Sequence, residues 1–311
     1  MRVVVTEPLD AEALDWLRER FEVIESSPER AADDLAGAEG LVVRTYTEVG
    51  EDLLGRADRL RVVGRAGVAL DNIDIAACRA RGVEVVHTPG SNTSAVAEFV
   101  FALLFDALRP RVMLEEALGL ERWSSLRAEL VASRQLEGLT IGVWGMGRIG
   151  RRVARIARAF DARVLYHDVE AVDPAERHGA EPVSREELLE RGEVVTVHVD
   201  DREANRHMVD ADAFGRMRSD VIFLNMARGL VVDPGACARF FSDHPGALAL
   251  LDVHEPEPFG PDHPLLGIAN VKLLPHIGAA TEPAKRAMSW VVRDVARVLG
   301  GERPEHPAPD I

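Results

Sequence analysis

Between Thr140 and Phe160 the chain runs from an apolar stretch, Ile141–Trp144, through Gly145-Met146-Gly147-Arg148-Ile149-Gly150 into a helix pattern, Arg151–Phe160. That junction constrains the fold more than any other segment. Three glycines in G-x-G-x-x-G spacing allow a tight turn at Gly145, close approach of a ligand at Gly147, and close helix–strand packing at Gly150. The helix start then offers unpaired N–H groups and a positive dipole end, which suit phosphate oxygens. Asp168 ends the next apolar run, Arg163–Asp168, where a carboxylate accepts hydrogen bonds from ribose hydroxyls. Strand, glycine turn, helix and strand-end acid together predict a dinucleotide site. Val169 and Glu170 follow with no arginine for a 2′-phosphate, which points to NAD rather than NADP.

Short Val/Ile/Leu runs alternate with amphipathic segments throughout, so the fold class is α/β with parallel sheets. A first set of strands is expected at 3–6, 21–24, 40–43, 60–63 and 83–86, with helices over 11–20 and 73–81. A second set is expected at 140–144, 164–166, 194–199, 221–224, 248–253 and 271–274. A long helix over 94–108 and a polar, arginine-bearing segment over 109–136 separate the two sets. Ser184 and Glu187 form a capping-box pattern. Met288, Val291, Val295 and Val298 share a helical face expected to return to the first set, and residues 300–311, with three prolines, read as an extended end. The expectation is two open parallel-sheet domains. A Rossmann domain of residues 94–281 is inserted in a smaller flavodoxin-like domain made of 1–93 and 282–311.

The formal net charge of −15 disfavours nucleic acid and anionic membranes as partners. The apolar stretch 95–108 carries Glu98 and Asp106 and is too short to span a bilayer. Cys78 and Cys237 lie in helix-like stretches without a pairing pattern, and no secretory signal opens the chain. A cytoplasmic location is expected, and no metal-ligand pattern is present.

Three later segments place polar groups at predicted strand ends: Asn225–Asp233, Leu251–Pro258 and Leu274–Thr281. Reduction of a 2-keto acid requires a hydride donor, a proton donor, and a cation for carbonyl and carboxylate. A histidine transfers protons near neutrality. A neighbouring carboxylate favours its protonated form, and arginine offers a planar charged fork. His276, Glu257 and Arg228 supply one of each. Singly they read as a strand-end histidine, a loop acid and an ion-pairing arginine. In order behind the glycine motif they read as a set. Glu255 competes with Glu257, and only the registration on Pro258 favours the latter.

Over almost its full length the chain resembles the D-isomer-specific 2-hydroxyacid dehydrogenase family. The resemblance rests on N-x-x-R-G-x-x-V-D at Asn225–Asp233, the Glu-Pro segment at Asp252–Pro258, and P-H-x-G at Pro275–Gly278. It implies Arg228 as the polarising arginine, Glu257 as histidine partner and His276 as acid/base. It also implies that Ser94, His198, Ala227, Asp252 and Gly278 join Gly145, Gly147, Arg148, Ile149, Gly150 and Asp168 at the cofactor. Gly64-Arg65-Ala66-Gly67 resembles the phosphoglycerate dehydrogenase branch. There the N–H groups of Ala66, Gly67 and Val68 would hold a carboxylate, and Arg44 and Arg65 a phosphate. The implied activity is NAD-linked oxidation of 3-phosphoglycerate in serine biosynthesis, by a homodimer that lacks a C-terminal regulatory domain and uses segment 109–134 as contact. Hydroxypyruvate or glyoxylate reduction is the alternative, and a non-catalytic NAD(H) sensor of the same fold a third reading. Ala69, Asp200 and His254 depart from the usual glycine, proline and aromatic residue, and Asp200 would bring negative charge to the cofactor.

Overall fold

The computed structural model describes residues 1–309, and they cluster into two units: Met1–Asn92 with the chain from Ala279 onward, and Thr93–Gly278. The chain begins with β1 (Arg2–Val5), α1 (Ala11–Arg18), β2 (Glu22–Glu25), α2 (Ala31–Asp34), β3 (Gly40–Val43), α3 (Glu51–Leu54), β4 (Val62–Arg65), α4 (Ile75–Ala80) and β5 (Glu84–Val86). The second unit holds α5 (Thr93–Leu108), α6 (Leu120–Glu129), β6 (Thr140–Trp144), α7 (Arg148–Ala159), β7 (Arg163–His167), β8 (Glu181–Pro182) and α8 (Arg185–Arg191). It continues with β9 (Val194–Val197), α9 (Ala211–Arg216), β10 (Ile222–Asn225), α10 (Pro234–Asp243), β11 (Leu248–Leu251) and β12 (Val271–Leu273), and α11 (Glu282–Ser289) and α12 (Val292–Leu299) then rejoin the first unit.

In the first unit Val- and Ile-rich strands pair in parallel in the order β2-β1-β3-β4-β5, and the central β1, β3 and β4 are the most buried. Such strands need cover on both faces. One face packs Leu35, Leu41, Val63 and Cys78, the other Val3, Val62, Leu17 and the returning Val291, Val292, Val295 and Leu299. Close packing of α12 depends on Gly64: a Cβ there would lie 2.5 Å from Val295 Cγ2. Past α12 the expected extended end appears, with Ala308 N–H donating to Val85 O at 2.7 Å and His87 N–H to His306 O at 3.1 Å. The last two residues of the predicted extended end lie outside the described residues.

The second unit orders its parallel strands β12-β11-β10-β9-β6-β7-β8. From β6 the chain goes first to β7 on one side and later to β9 on the other, so the switch point lies between β6 and β9, and ligands of open α/β sheets bind beyond the strand ends there. Rings of Phe214, Phe223, Phe240 and Phe241 pack with centroids 5.1–5.9 Å apart beneath β9–β11. Burying each such ring contributes roughly 1.5–3 kcal/mol. The Ser184–Glu187 capping box forms as read.

Two strands end earlier than their apolar runs. β9 stops at Val197, short of the expected Val199, and β11 at Leu251, short of Val253. In both cases the following residues leave the sheet to build the site. Segment 109–136 contains α6, which its composition did not announce and which has no buried residue. Among the described residues no helix is long and apolar enough to cross a membrane.

Candidate active site

The glycine turn is built as its spacing requires. Gly145 has φ +96°, and a Cβ on it would lie 2.7 Å from the carbonyl carbon and oxygen of His198. The end of β9 is therefore folded directly over the turn. A Cβ on Gly150 would fall 2.1 Å from Gly145 O, whereas one on Gly147 would meet nothing within 4 Å. Gly147 thus leaves open space at the N-terminus of α7, where Arg148 and Ile149 form the first turn. Asp168 Oδ2 accepts from Met146 N–H at 2.5 Å and Oδ1 from Glu170 N–H at 2.9 Å, so the carboxylate is anchored to the turn itself.

His198 is half-buried. Its Nε2 lies 2.9 Å from Thr196 Oγ1, its Nδ1 has no partner among the described residues, and burial pushes its pKa down to about 3. What it brings to the turn is a neutral ring and the backbone packed on Gly145. The negative charge expected from Asp200 is compensated locally. Arg202 Nε donates to Asp200 Oδ1 at 2.7 Å, its second nitrogen bonds Oδ2, and Asn205 Nδ2 also donates to Oδ1. The Arg202 bonds hold the Asp200 carboxyl below its usual range.

At the same carboxyl ends of the parallel strands, the loops after β10, β11 and β12 meet. Asn225 closes the first: its Nδ2 donates to Arg228 O at 2.9 Å and its Oδ1 accepts from Ala227 N–H at 3.0 Å. Arg228 Nη1 donates to Ala227 O at 2.7 Å. Gly229 lies against the second loop so closely that a Cβ would fall 1.9 Å from the carbonyl of His254.

In the second loop Glu257 Oε2 accepts from His276 Nδ1 at 2.7 Å, and its Oε1 accepts from His254 N–H at 2.6 Å. Burial alone would raise the Glu257 carboxyl, but the bonds from His276 and His254 outweigh it and hold the pKa below its ordinary value. Glu255 is occupied elsewhere, bonding Arg206 Nη1 at 2.7 Å with His207 Nε2 at 3.7 Å. The structure thus brings Glu257, not Glu255, to His276.

Asp252 holds the third loop. It is 3% exposed, and its two oxygens accept from Ile277 N–H at 2.8 Å and Gly278 N–H at 2.6 Å. Expected at the cofactor, Asp252 here fixes the backbone beside His276, and Gly278 makes room for it, since a Cβ there would lie 2.9 Å from Asp252 Oδ2. Burial raises the Asp252 pKa against the opposing pull of these N–H bonds. Ser94 is exposed on the first turn of α5, and Ala227 is buried.

In the first unit Arg65 pairs with Val43 across β3 and β4, which puts Arg44, one residue further on, at the same strand ends. Arg44 Nη1 donates to Pro8 O at 3.1 Å. Glu7 gathers the N–H groups of residues 44–47, which fixes that loop. The Arg65 guanidinium lies over Gly67, whose missing Cβ would fall 1.4 Å from Nη1. The expectation that Ala66, Gly67 and Val68 all offer their N–H groups is corrected: Ala66 donates to Val43 O and Gly67 to Arg65 O, both at 2.8 Å. The turn geometry uses two of the three donors.

The family model for the D-isomer specific 2-hydroxyacid dehydrogenase NAD binding domain matches residues 101–278. The chain belongs to that family. It is 35% identical over 307 residues to the D-3-phosphoglycerate dehydrogenase of Archaeoglobus fulgidus, covering 97% of this chain but only 58% of that protein. It is 34% identical over 304 residues to the glyoxylate reductase of Aeropyrum pernix, covering 94% of this chain and 91% of the relative. Among solved structures, the D-lactate dehydrogenase of Aquifex aeolicus complexed with NAD and lactic acid aligns with a TM-score of 0.82 at 27% identity, covering 97% and 96% of the two chains. NAD, the cofactor of this family, fits the residues present: open space at Gly147, N–H donors at the start of α7, and a carboxylate at Asp168.

Proposed function

We propose that this family member interconverts a D-2-hydroxy acid and the corresponding 2-keto acid with NAD, and that the pair is 3-phosphoglycerate and 3-phosphohydroxypyruvate. The observation that carries the chemistry is the 2.7 Å bond between His276 Nδ1 and Glu257 Oε2. An ionised carboxylate only accepts, so Nδ1 carries the hydrogen and Nε2 is left to exchange a proton with the substrate oxygen. Bound NAD would take or supply the hydride. His276 gives its Nε2 proton to the forming alkoxide during reduction and removes it during oxidation. Glu257 fixes the tautomer and the orientation of the ring. Arg228, on the loop locked to the same segment through Gly229, draws the carbonyl and the carboxylate into line.

The choice of a phosphorylated substrate rests on Arg44 and Arg65 at neighbouring strand ends, with the Val68 N–H as the remaining carboxylate donor of the three expected. The similarity to a phosphoglycerate dehydrogenase supports it, and the similarity to a glyoxylate reductase names its rival. The proposed assembly is a cytoplasmic homodimer. Segment 109–136 supports the dimer, for its Met113, Leu120 and Val131 are 77–82% exposed. Two buried free thiols, Cys78 and Cys237, suit a reducing compartment.

The test is NADH oxidation with 3-phosphohydroxypyruvate, hydroxypyruvate and glyoxylate, together with the His276→Ala variant. Loss of the acid/base should lower kcat by roughly 10²–10⁴ with NADH affinity kept. Turnover unchanged in that variant would refute the role of His276. Equal kcat/KM for phosphorylated and unphosphorylated acids would refute the substrate.

A further inference from the structure

The bond between Glu257 and His276 belongs to a closed ring of contacts, and one residue closes it twice. His254 N–H donates to Glu257 Oε1 at 2.6 Å, the oxygen His276 does not use. The His254 ring, through Nε2, lies 2.7 Å from the carbonyl oxygen of Leu274, two residues before His276. A carbonyl only accepts, so this Nε2 carries a hydrogen, and it does so in the neutral and the charged ring alike. The ring is held edge-on against Phe259, with centroids 4.8 Å apart. The peptide that follows it is pressed on Gly229. The segments bearing Arg228, Glu257 and His276 therefore all touch His254.

We propose that His254 is a positioning residue that sets the His276–Glu257 pair, with its backbone fixing the carboxylate and its Nε2–H fixing the strand end that carries the histidine. A phenylalanine ring at this point would have no donor for the Leu274 carbonyl, so the link depends on the imidazole Nε2–H. The assignment rests on the proposed role of His276 as acid/base. It concerns geometry, and a readout other than turnover can therefore test it.

The experiment uses the full chain with three substitutions: His254→Phe, His254→Asn and His254→Gln. Phenylalanine keeps the ring and loses the donor. Glutamine can place an N–H where Nε2 stands, whereas asparagine reaches only the Nδ1 position. The expected result is about a tenfold lower kcat for Phe and Asn, in line with the cost of misplacing a catalytic group, with KM for NADH unchanged and most of kcat kept by Gln. A space-filling ring would instead leave Phe near wild type. A titrating His254 would make Gln as poor as Phe. Either outcome overturns the proposal.

The His276 Nδ1–H resonance in ¹⁵N-histidine-labelled protein, assigned by its loss in His276→Ala, gives the second readout. It should broaden in Phe and Asn and persist in Gln. If no 2-keto acid is turned over, the proposed function fails while this resonance still decides the positioning: an unchanged signal in Phe overturns it. If the Phe variant does not fold, the Gln and Asn pair carries both readouts.

Discussion

Acid should loosen the second unit through one half-buried ring, His198, whose Nδ1 is enclosed. In the unfolded chain an imidazole takes up a proton below about pH 6.5. In the folded unit burial holds the His198 pKa at about 3. Between those values the unfolded state binds more protons, so stability falls as pH falls from about 6.5, and the loss is complete only near pH 3. Each unit of pH in that window costs about 1.4 kcal/mol, which makes about 2 kcal/mol by pH 5. For a unit the size of Thr93–Gly278 that corresponds to roughly 4–8 °C in Tm. His198→Gln keeps a polar group facing Thr196 and cannot titrate. Every other ionisable group is common to both proteins, so subtraction isolates the ring. Scanning calorimetry at pH 7 and pH 5 should show a Tm drop larger in the wild type by that amount. Parallel drops would refute the argument, because they would mean that His198 is hydrated or protonated at pH 5.

Two glycines and one acid give further tests. Gly150→Ala places a methyl 2.1 Å from Gly145 O; overpacking of this kind costs about 1–3 kcal/mol, and a fluorescence titration should show NADH affinity reduced at least about tenfold as the turn moves away from the phosphates. Gly229→Ala would push the His254–Glu255 peptide aside, and kcat should fall by about 10² with NADH binding retained, since displacement of about 1 Å costs that much. Asp252→Asn replaces one acceptor facing the Ile277 and Gly278 N–H groups with a donor; urea unfolding should show a loss of about 1–3 kcal/mol.

Much of this was legible because it is local. The glycine turn, the capping box and the parallel sheets each follow from neighbours in sequence, and the apolar strands are buried as their composition demands. What escaped depends on long-range contacts. The early ends of β9 and β11 follow from His198 folding over Gly145 and from Asp252 reaching Ile277 and Gly278, and an apolar run does not record where its chain leaves the sheet. β8 has two residues and one is Pro182 at the sheet edge, too short for a periodic signal. Which of Glu255 and Glu257 lies beside His276 depends on contacts far apart in sequence, with Glu257 bonding His276 and Glu255 bonding Arg206. The reach of His254 to Leu274 crosses twenty residues, and spacing alone does not reveal it.

The returning helix α12 has a consequence for synthesis. One face of the first sheet, with Val3 and Val62, is completed by Val291, Val292, Val295 and Leu299. A ribosome adds about 5–20 residues per second, so the Thr93–Gly278 segment takes roughly 10–40 s to make after β5 has emerged. Throughout that interval the five strands of the first sheet carry an uncovered apolar face, and the second unit is complete in sequence before α12 arrives to cover it. The unit begun first is therefore completed after the second, and its apolar face stays open until α12 has left the exit tunnel.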